Sequence, residues 1–275
     1  MLKLLFIFSI LTSCNNTDIR NTNFDSTLYK KAMIEENKLE DSLKPFSKYS
    51  YLIIGKEKGK KIAVGTAFFI KHGEDLFLTT AYHVFCSMDM VAGKLNPRIS
   101  DALSLRLFNT ETKKYEFWDI DISDAIKDVK PVINNDFPDV YCYKLKKEFR
   151  EEFEINTIES FIDESNFDAN TQVFTFGFPF ETVSPLTEEI VLPTLFIGKT
   201  IVERTRIITD DLRRRVLYYY LVDRSTPWGV SGSPWFIINP STNKISFLGI
   251  SAVRTDTYTM VTKDTEVIKV YKSQQ

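Results

Sequence analysis

The chain has 275 residues, of which 43% are hydrophobic and 13% aromatic, a composition that allows a sizeable buried core. Its 35 Lys and Arg against 37 Asp and Glu leave a net charge of −2, which gives no reason to expect nucleic acid as a partner. Three cysteines are too few for a disulfide scaffold, and no cysteine–histidine or paired-histidine spacing points to a metal or to any other cofactor.

Residues 1–13 carry Lys3, an apolar run from Leu4 through Ile10, and then Leu11-Thr12-Ser13-Cys14. This is the pattern of a short secretory signal, because its apolar core falls well below the roughly 20 residues that a bilayer-spanning helix needs. The string Leu-Thr-Ser-Cys resembles a bacterial lipobox, which implies cleavage before Cys14 and lipidation of that cysteine. Two lipid signals anchor a protein stably, so the expected location is the bacterial cell envelope, on a membrane. Residues 14–48 then read as a polar, asparagine-rich tether followed by a short N-terminal helix from Ser26 to Leu43. Leu28, Ala32, Leu39 and Leu43 share its apolar face and Pro45 stops it. A helix packed on the back of the domain is favoured over a regulatory propeptide.

From Tyr49 onward the pattern is that of strands. Tyr51–Ile54 and Ile62–Val64 flank a charged hairpin tip, Gly55 to Gly59, and the run Gly65–Ile70 follows. The polar turn Lys71-His72-Gly73-Glu74-Asp75 leads into Leu76–Thr80, and three residues later comes His83. There are only two histidines. His72 reads as a surface residue at a hairpin tip, whereas His83, projecting from the end of a rigid strand, is the candidate general base. Leu103–Phe108 and Tyr115–Ile122 are further strands. After the turn-rich residues 134–138, Asp139 opens Val140–Leu145, and an acid at the mouth of a strand suits the partner of a histidine. Asp136 competes, but it lies inside the turn and reads as an Asx-type turn former. About six strands end near residue 148, enough for one closed antiparallel barrel. Lys146–Glu154 is charge-rich and helix-prone, so the boundary is expected there, between residues 49–148 and 149–275.

The second half repeats the strand pattern at Val173–Phe178, Leu195–Glu203, Val216–Val222, Trp235–Ile238, Ile245–Val253 and Tyr258–Val261. The basic run Arg213-Arg214-Arg215, with Arg204 and Arg206 nearby, follows Thr209-Asp210-Asp211 and reads as a solvated hairpin tip. Cys86 and Cys142 are expected as buried free thiols. Within this half lies Trp228-Gly229-Val230-Ser231-Gly232-Ser233-Pro234-Trp235-Phe236, a glycine-rich turn entering a strand. Glycine permits close backbone approach, so the amides of Gly229 and Ser231 can converge beside the Ser231 hydroxyl. Acyl transfer needs that combination: a nucleophilic oxygen, a base to activate it, and N–H donors for the oxyanion.

Three motifs in the order His, Asp, Ser make the chain resemble the chymotrypsin-like serine peptidases in their compact bacterial form. Leu78-Thr79-Thr80-Ala81-Tyr82-His83 is similar to the family's histidine motif, Asp139 begins the acid motif, and Gly229-Val230-Ser231-Gly232-Ser233-Pro234 is similar to the serine motif. Gly65–Ile70 and Val173–Pro179 are weaker matches, and the likeness runs from about Tyr49 to the C-terminus. The resemblance implies an all-β fold of two antiparallel barrels with the active site between them. It implies that Ser231 is the nucleophile, His83 the base, Asp139 its orienting acid, and the amides of Gly229 and Ser231 the oxyanion hole. Val230 stands where the animal enzymes carry an aspartate, so activation by an ion pair with a freshly cut N-terminus is not available. Ser233 replaces a glycine, and the family's disulfide beside the histidine has no cysteine near Gly65 to form it.

The resemblance places the primary pocket at Ser225, Thr226 and Trp228 and on the strand carrying Ser251 and Val253. No acid aligns at its base, which disfavours cleavage after Lys or Arg. Thr226 and Ser251, with Arg254 beyond, favour an acidic or small side chain, as in glutamyl endopeptidases, although the pocket histidine of those enzymes is absent. The expected function is a serine endopeptidase of the envelope acting on protein or peptide. Its rival is a non-catalytic binding module on the same scaffold. The sequence is silent on any oligomer.

Overall fold

The computed structural model describes residues 39–91, 94–123, 139–145, 151–158, 169–180, 192–209, 214–239, 242, 244–254 and 256–272. The signal sequence, Cys14, most of the expected N-terminal helix, Asp136 and Arg213 lie outside the described residues. Residues 39–42 are helical and are grouped apart from the body formed by Leu43 onward.

The first half of that body is built from β1 (Tyr51–Glu57), β2 (Lys60–His72), β3 (Asp75–Thr80), β6 (Ala102–Asn109), β7 (Lys114–Asp121), β8 (Tyr141–Lys144) and β9 (Phe153–Glu154). They form one antiparallel sheet ordered β7-β6-β1-β2-β3-β8, with β9 also on β6. Alternation along these strands sends Ile53, Ala67, Phe69, Leu78, Leu103, Leu105 and Leu107 to one core. The expected closed first barrel is, among the described residues, a sheet whose hydrogen-bonded path does not return on itself. A short ribbon, β4 (Cys86–Val91) with β5 (Lys94–Ile99), stands beside it. Its polar residues and Pro97 hid it from the strand pattern.

The second half is a closed barrel of β10 (Gln172–Gly177), β11 (Thr194–Thr209), β12 (Arg214–Val222), β13 (Pro234–Ile238), β14 (Ile245–Arg254) and β15 (Thr259–Lys263), in the order β10-β11-β12-β15-β14-β13. Closure leaves no sheet edge unpaired. Val173, Tyr220, Val222, Trp235, Ile237, Leu248 and Val261 fill it. Helix α2 (Asp264–Lys272) ends the described chain and was not legible from the strand pattern. Val267 and Ile268 are its buried apolar side chains, and Asp264 and Glu266, buried as well, place negative charge in its first turn, where the helix dipole favours it.

The first sheet reaches past residue 148. In the stretch expected to be a helix-prone link, Phe153 is buried and pairs with Asn109, and just beyond that stretch Ile158 N–H donates to Phe69 O at 3.0 Å. One buried aromatic in a charged run, alternating with an exposed Glu154, was enough to make a two-residue strand. The halves meet through packed side chains: Leu52 against Phe178, and Phe68 with its ring 5.5 Å from that of Phe247. A 3-10 helix, Lys44–Tyr49, lays Phe46 on Phe174 and Phe236 at 5.4 and 5.5 Å. Among the described residues, no helix is long and apolar enough to cross a membrane.

Candidate active site

Strand register places the histidine and the acid. β3 and β8 are antiparallel with Thr80 opposite Tyr141, so the residues following Thr80 and those preceding Tyr141 emerge at one end of the sheet. His83 lies three residues beyond the first and Asp139 two before the second. A single helical turn, α1 (Tyr82–Phe85), carries His83. It is clamped to the start of β8 because the Phe85 and Tyr141 rings stack at 3.9 Å and 3°, with Tyr82 edge-on to Tyr141 at 6.4 Å. His83 N–H donates to Asp139 Oδ1 at 3.0 Å, and Asp139 Oδ2 lies 2.6 Å from His83 Nδ1. The two contacts fix ring and carboxylate together, and with Asp139 ionised the Nδ1 proton is the one donated.

The environment sets the charge of the imidazole. Desolvation pushes its pKa down, but the charge of Asp139 and the hydrogen bond to it more than offset this, so the pKa is raised above the usual 6.5. The side chain of His83 is 44% exposed and that of Asp139 21%, which leaves the imidazole open on the side away from the carboxylate. His72 sits opposite Asp75 at the exposed β2–β3 tip, away from this constellation.

The serine turn docks onto the same end of the first sheet. Thr66 N–H donates to Ser231 O at 2.8 Å, and Thr66 Oγ1 donates to Gly229 O at 2.9 Å while accepting from Phe178 N–H at 3.1 Å. Gly232 has φ +86°, and a Cβ there would overlap Thr66 O and Thr80 Oγ1 and lie 2.8 Å from Ala81 N, two residues from His83. Only glycine lets Ser231 come this close to the histidine segment. Gly229, at φ +92°, is pressed in the same way against Phe178 O and Phe180 N. Among the described residues the N–H groups of Gly229 and Ser231 donate to nothing, whereas those of Val230, Gly232 and Ser233 are all bonded. No hydrogen bond joins Ser231 Oγ to His83. Val230 is fully buried against Gly177, an apolar plug with no ion pair to make.

Of the residues expected to line a pocket, Ser225 is half-buried and Thr226 fully so. Thr226 N–H donates to Thr259 Oγ1 at 3.2 Å, and Thr259 Oγ1 in turn donates to Arg224 O at 2.6 Å. With that proton committed, the 3.2 Å contact between the two hydroxyls has Thr226 Oγ1 as donor. The Thr226 hydroxyl proton is therefore used inside the wall. Ser251 is buried, its O taking Gly232 N–H at 2.8 Å and its N–H going to Ser233 O at 2.9 Å, so it braces the turn from the barrel side. Val253 belongs to β14, and its side chain lies outside the description. Trp228 is 63% exposed, with the Arg254 guanidinium 4.3 Å over its ring.

Residues that sequence reasoning did not single out also shape the site. Thr66 and Thr80, each fully buried, join the serine turn to the histidine strand, Thr80 Oγ1 donating to Thr66 O at 2.8 Å. Two threonines in apolar strands, with hydroxyls that need partners once buried, were the available signal. Cys86 and Cys142 are buried and outside any disulfide, and burial pushes the Cys142 thiol up to about 12. Among the described residues, no cluster of three His, Cys, Asp or Glu is placed to hold a metal ion.

No family model and no curated protein sequence matches the chain. Solved structures do. The Rv3671c protease of M. tuberculosis in its active form superposes with a TM-score of 0.50 at 14% identity, over 84% of this chain and 82% of that one. Its inactive serine-to-alanine variant gives 0.51 at 13% identity, over 84% and 88%. Likeness at such identity is likeness of fold: this is a chymotrypsin-like, predominantly β peptidase fold with few helices.

Proposed function

We propose that the protein is a serine endopeptidase in which Ser231 is the nucleophile, His83 the general base and Asp139 the group that orients it. The observation that carries this reading is the double grip of Asp139 on His83 beside a serine turn that Gly232 presses against the same strand end. In the reaction, Ser231 Oγ attacks the scissile carbonyl as His83 Nε2 takes its proton. The tetrahedral oxyanion is held by the N–H groups of Gly229 and Ser231, which have no other partner among the described residues. Collapse expels the amine, to which His83 returns the proton. Water, deprotonated by the same imidazole, then releases the acid from the acyl-enzyme.

The missing Ser231–His83 hydrogen bond favours a second reading, a peptide-binding module on a peptidase fold. Catalytic hydrogen bonds are often long before substrate binds, so we place the enzyme first. Fluorophosphonate labelling of the full-length protein decides between them. Labelling that is lost in both Ser231→Ala and His83→Ala establishes an activated nucleophile. A folded protein that stays unlabelled moves the binding module to the front.

We also propose an envelope location with a lipid anchor at Cys14, on the strength of residues 1–14.

A further inference from the structure

Two exposed aromatic rings flank the serine turn, and each carries a cation on its face. Trp228 holds the Arg254 guanidinium at 4.3 Å, and Phe180, 43% exposed, holds the Lys61 ammonium at 5.1 Å. Both distances are within reach of a cation–π attraction. The two rings are joined through the backbone, since Phe180 N–H donates to Trp228 O at 2.6 Å, and Trp228 adjoins Gly229. Lys61 comes from β2 of the first sheet, five residues before Thr66, and Arg254 from the end of β14 in the barrel.

Each cation is steadied without being neutralised. Among the described residues, Lys56, Arg98, Lys144 and Lys269 are paired with carboxylates, whereas Arg254 has the carbonyl of Thr226 at 3.3 Å and Lys61 has no acid. A guanidinium stacked on indole keeps the rest of its planar fork of donors, the geometry that grips a carboxylate with two parallel bonds. With a net charge of −2 the molecule as a whole does not draw acids in, so attraction at this rim has to be local. Thr226 cannot supply it, because its hydroxyl proton is already given to Thr259.

We propose that the cleft selects acidic peptides, with one side-chain carboxylate taken by Arg254 on Trp228 and a second by Lys61 on Phe180. This names the substrate class of the site read above as a peptidase, and its test does not depend on turnover. Full-length protein carrying Ser231→Ala is titrated by fluorescence anisotropy into a labelled peptide containing several glutamates and into the same peptide with glutamines. The glutamate peptide is expected to bind about tenfold tighter or more, as charge-assisted bonds to two fixed cations imply. Arg254→Gln and Lys61→Gln should each remove part of that preference, and the double variant should remove it all. Equal affinity for the two peptides, no binding of the glutamate peptide, or a preference that survives both substitutions overturns the proposal. Fluorophosphonate labelling keeps the two ideas apart. A labelled protein without acid preference loses only this inference, and an unlabelled one that still prefers glutamate loses only the catalytic reading.

Discussion

Asp139 holds His83 by two bonds at once, Oδ1 to the backbone N–H at 3.0 Å and Oδ2 to ring Nδ1 at 2.6 Å. The first positions the helical turn and the second selects the tautomer with a proton on Nδ1, leaving Nε2 as the acceptor that a base requires. Asp139→Asn keeps the shape, removes the charge, and can present its amide N–H to Nδ1, which favours the wrong tautomer. Hydrolysis by this variant is expected to fall by about 10⁴ in kcat with little change in KM. A fall of under tenfold would mean that Asp139 is a structural cap and that another acid serves His83.

The same pair sets a pH dependence with a definite sign. A general base works when neutral, so kcat/KM should rise with pH through an inflection above 6.5, where Asp139 holds the His83 pKa. Stability runs the other way. Because the folded pKa lies above the unfolded one, the protonated pair stabilises the fold fully below about 6.5, and this contribution is lost as pH rises through the folded value. Asp139→Asn should shift the kinetic inflection downward and flatten that part of a plot of Tm against pH. An unmoved inflection in the variant would show that the titration belongs to some other group.

What the sequence made legible was whatever depends on local pattern. Most of the strand runs fall near where the pattern put them, Asp139 lies two residues before its strand, and His83, expected to project from a strand end, is carried instead by a helical turn just beyond it. The register that brings them together did not show, because the opposition of Thr80 to Tyr141 depends on residues about 60 apart. Nor did the ties made by Thr66, the seat of Lys61 on Phe180, or that of Arg254 on Trp228, although Arg254 itself was read as favouring an acidic side chain; these partners belong to other strands and turns. Phe153 is a third kind of miss: the charges around it pointed to a link, and burial of one ring made it a strand. A single tertiary contact outweighed the local preference of a short segment.

Gly232 tests whether the serine turn must press on the histidine strand. A methyl group there meets Thr66 O and Thr80 Oγ1 at a φ of +86°, so Gly232→Ala combines overlap with backbone strain. It is expected to lower stability by about 2 kcal/mol or more and to abolish fluorophosphonate labelling. Gly59→Ala is the control, since φ is +75° and nothing lies within 4 Å of the added carbon. It should cost about 1 kcal/mol and leave labelling intact. Equal behaviour of the two variants in denaturant melts and labelling would show that strain alone, and not docking, matters at Gly232.

The anchor proposal rests on Cys14 and the apolar run before it. Cells fed an alkyne fatty acid should yield a labelled full-length protein that partitions with membranes. Cys14→Ser should lose both label and sedimentation while the soluble material still reacts with fluorophosphonate. Label retained in Cys14→Ser, or a wild-type protein with none, would leave residues 1–13 as an ordinary signal.

Thr66 is the point at which the two halves of the fold are fastened to one turn, and its hydroxyl separates positioning from packing. Thr66 is fully buried, and its Oγ1 serves Gly229 O and Phe178 N–H together while its backbone N–H serves Ser231 O. Thr66→Val keeps the volume and deletes the hydroxyl, leaving two buried polar groups without that partner, at about 1–3 kcal/mol of stability. Gly229 O belongs to the Gly229–Val230 peptide, which lies between the two amides proposed to meet the oxyanion, so freeing it from one tie lets that plane tilt and loosens the aim of the Gly229 and Ser231 N–H groups on either side. The loss should therefore appear in kcat, by about 10²-fold, the order found when one oxyanion donor is removed, with KM close to wild type. Thr66→Ser restores the hydroxyl without the methyl group and should recover most of kcat while remaining somewhat less stable. If Thr66→Val loses stability but keeps kcat, the hydroxyl holds the halves together without aiming the turn, and Gly229 must be fixed by its packing against Phe178 and Phe180 alone.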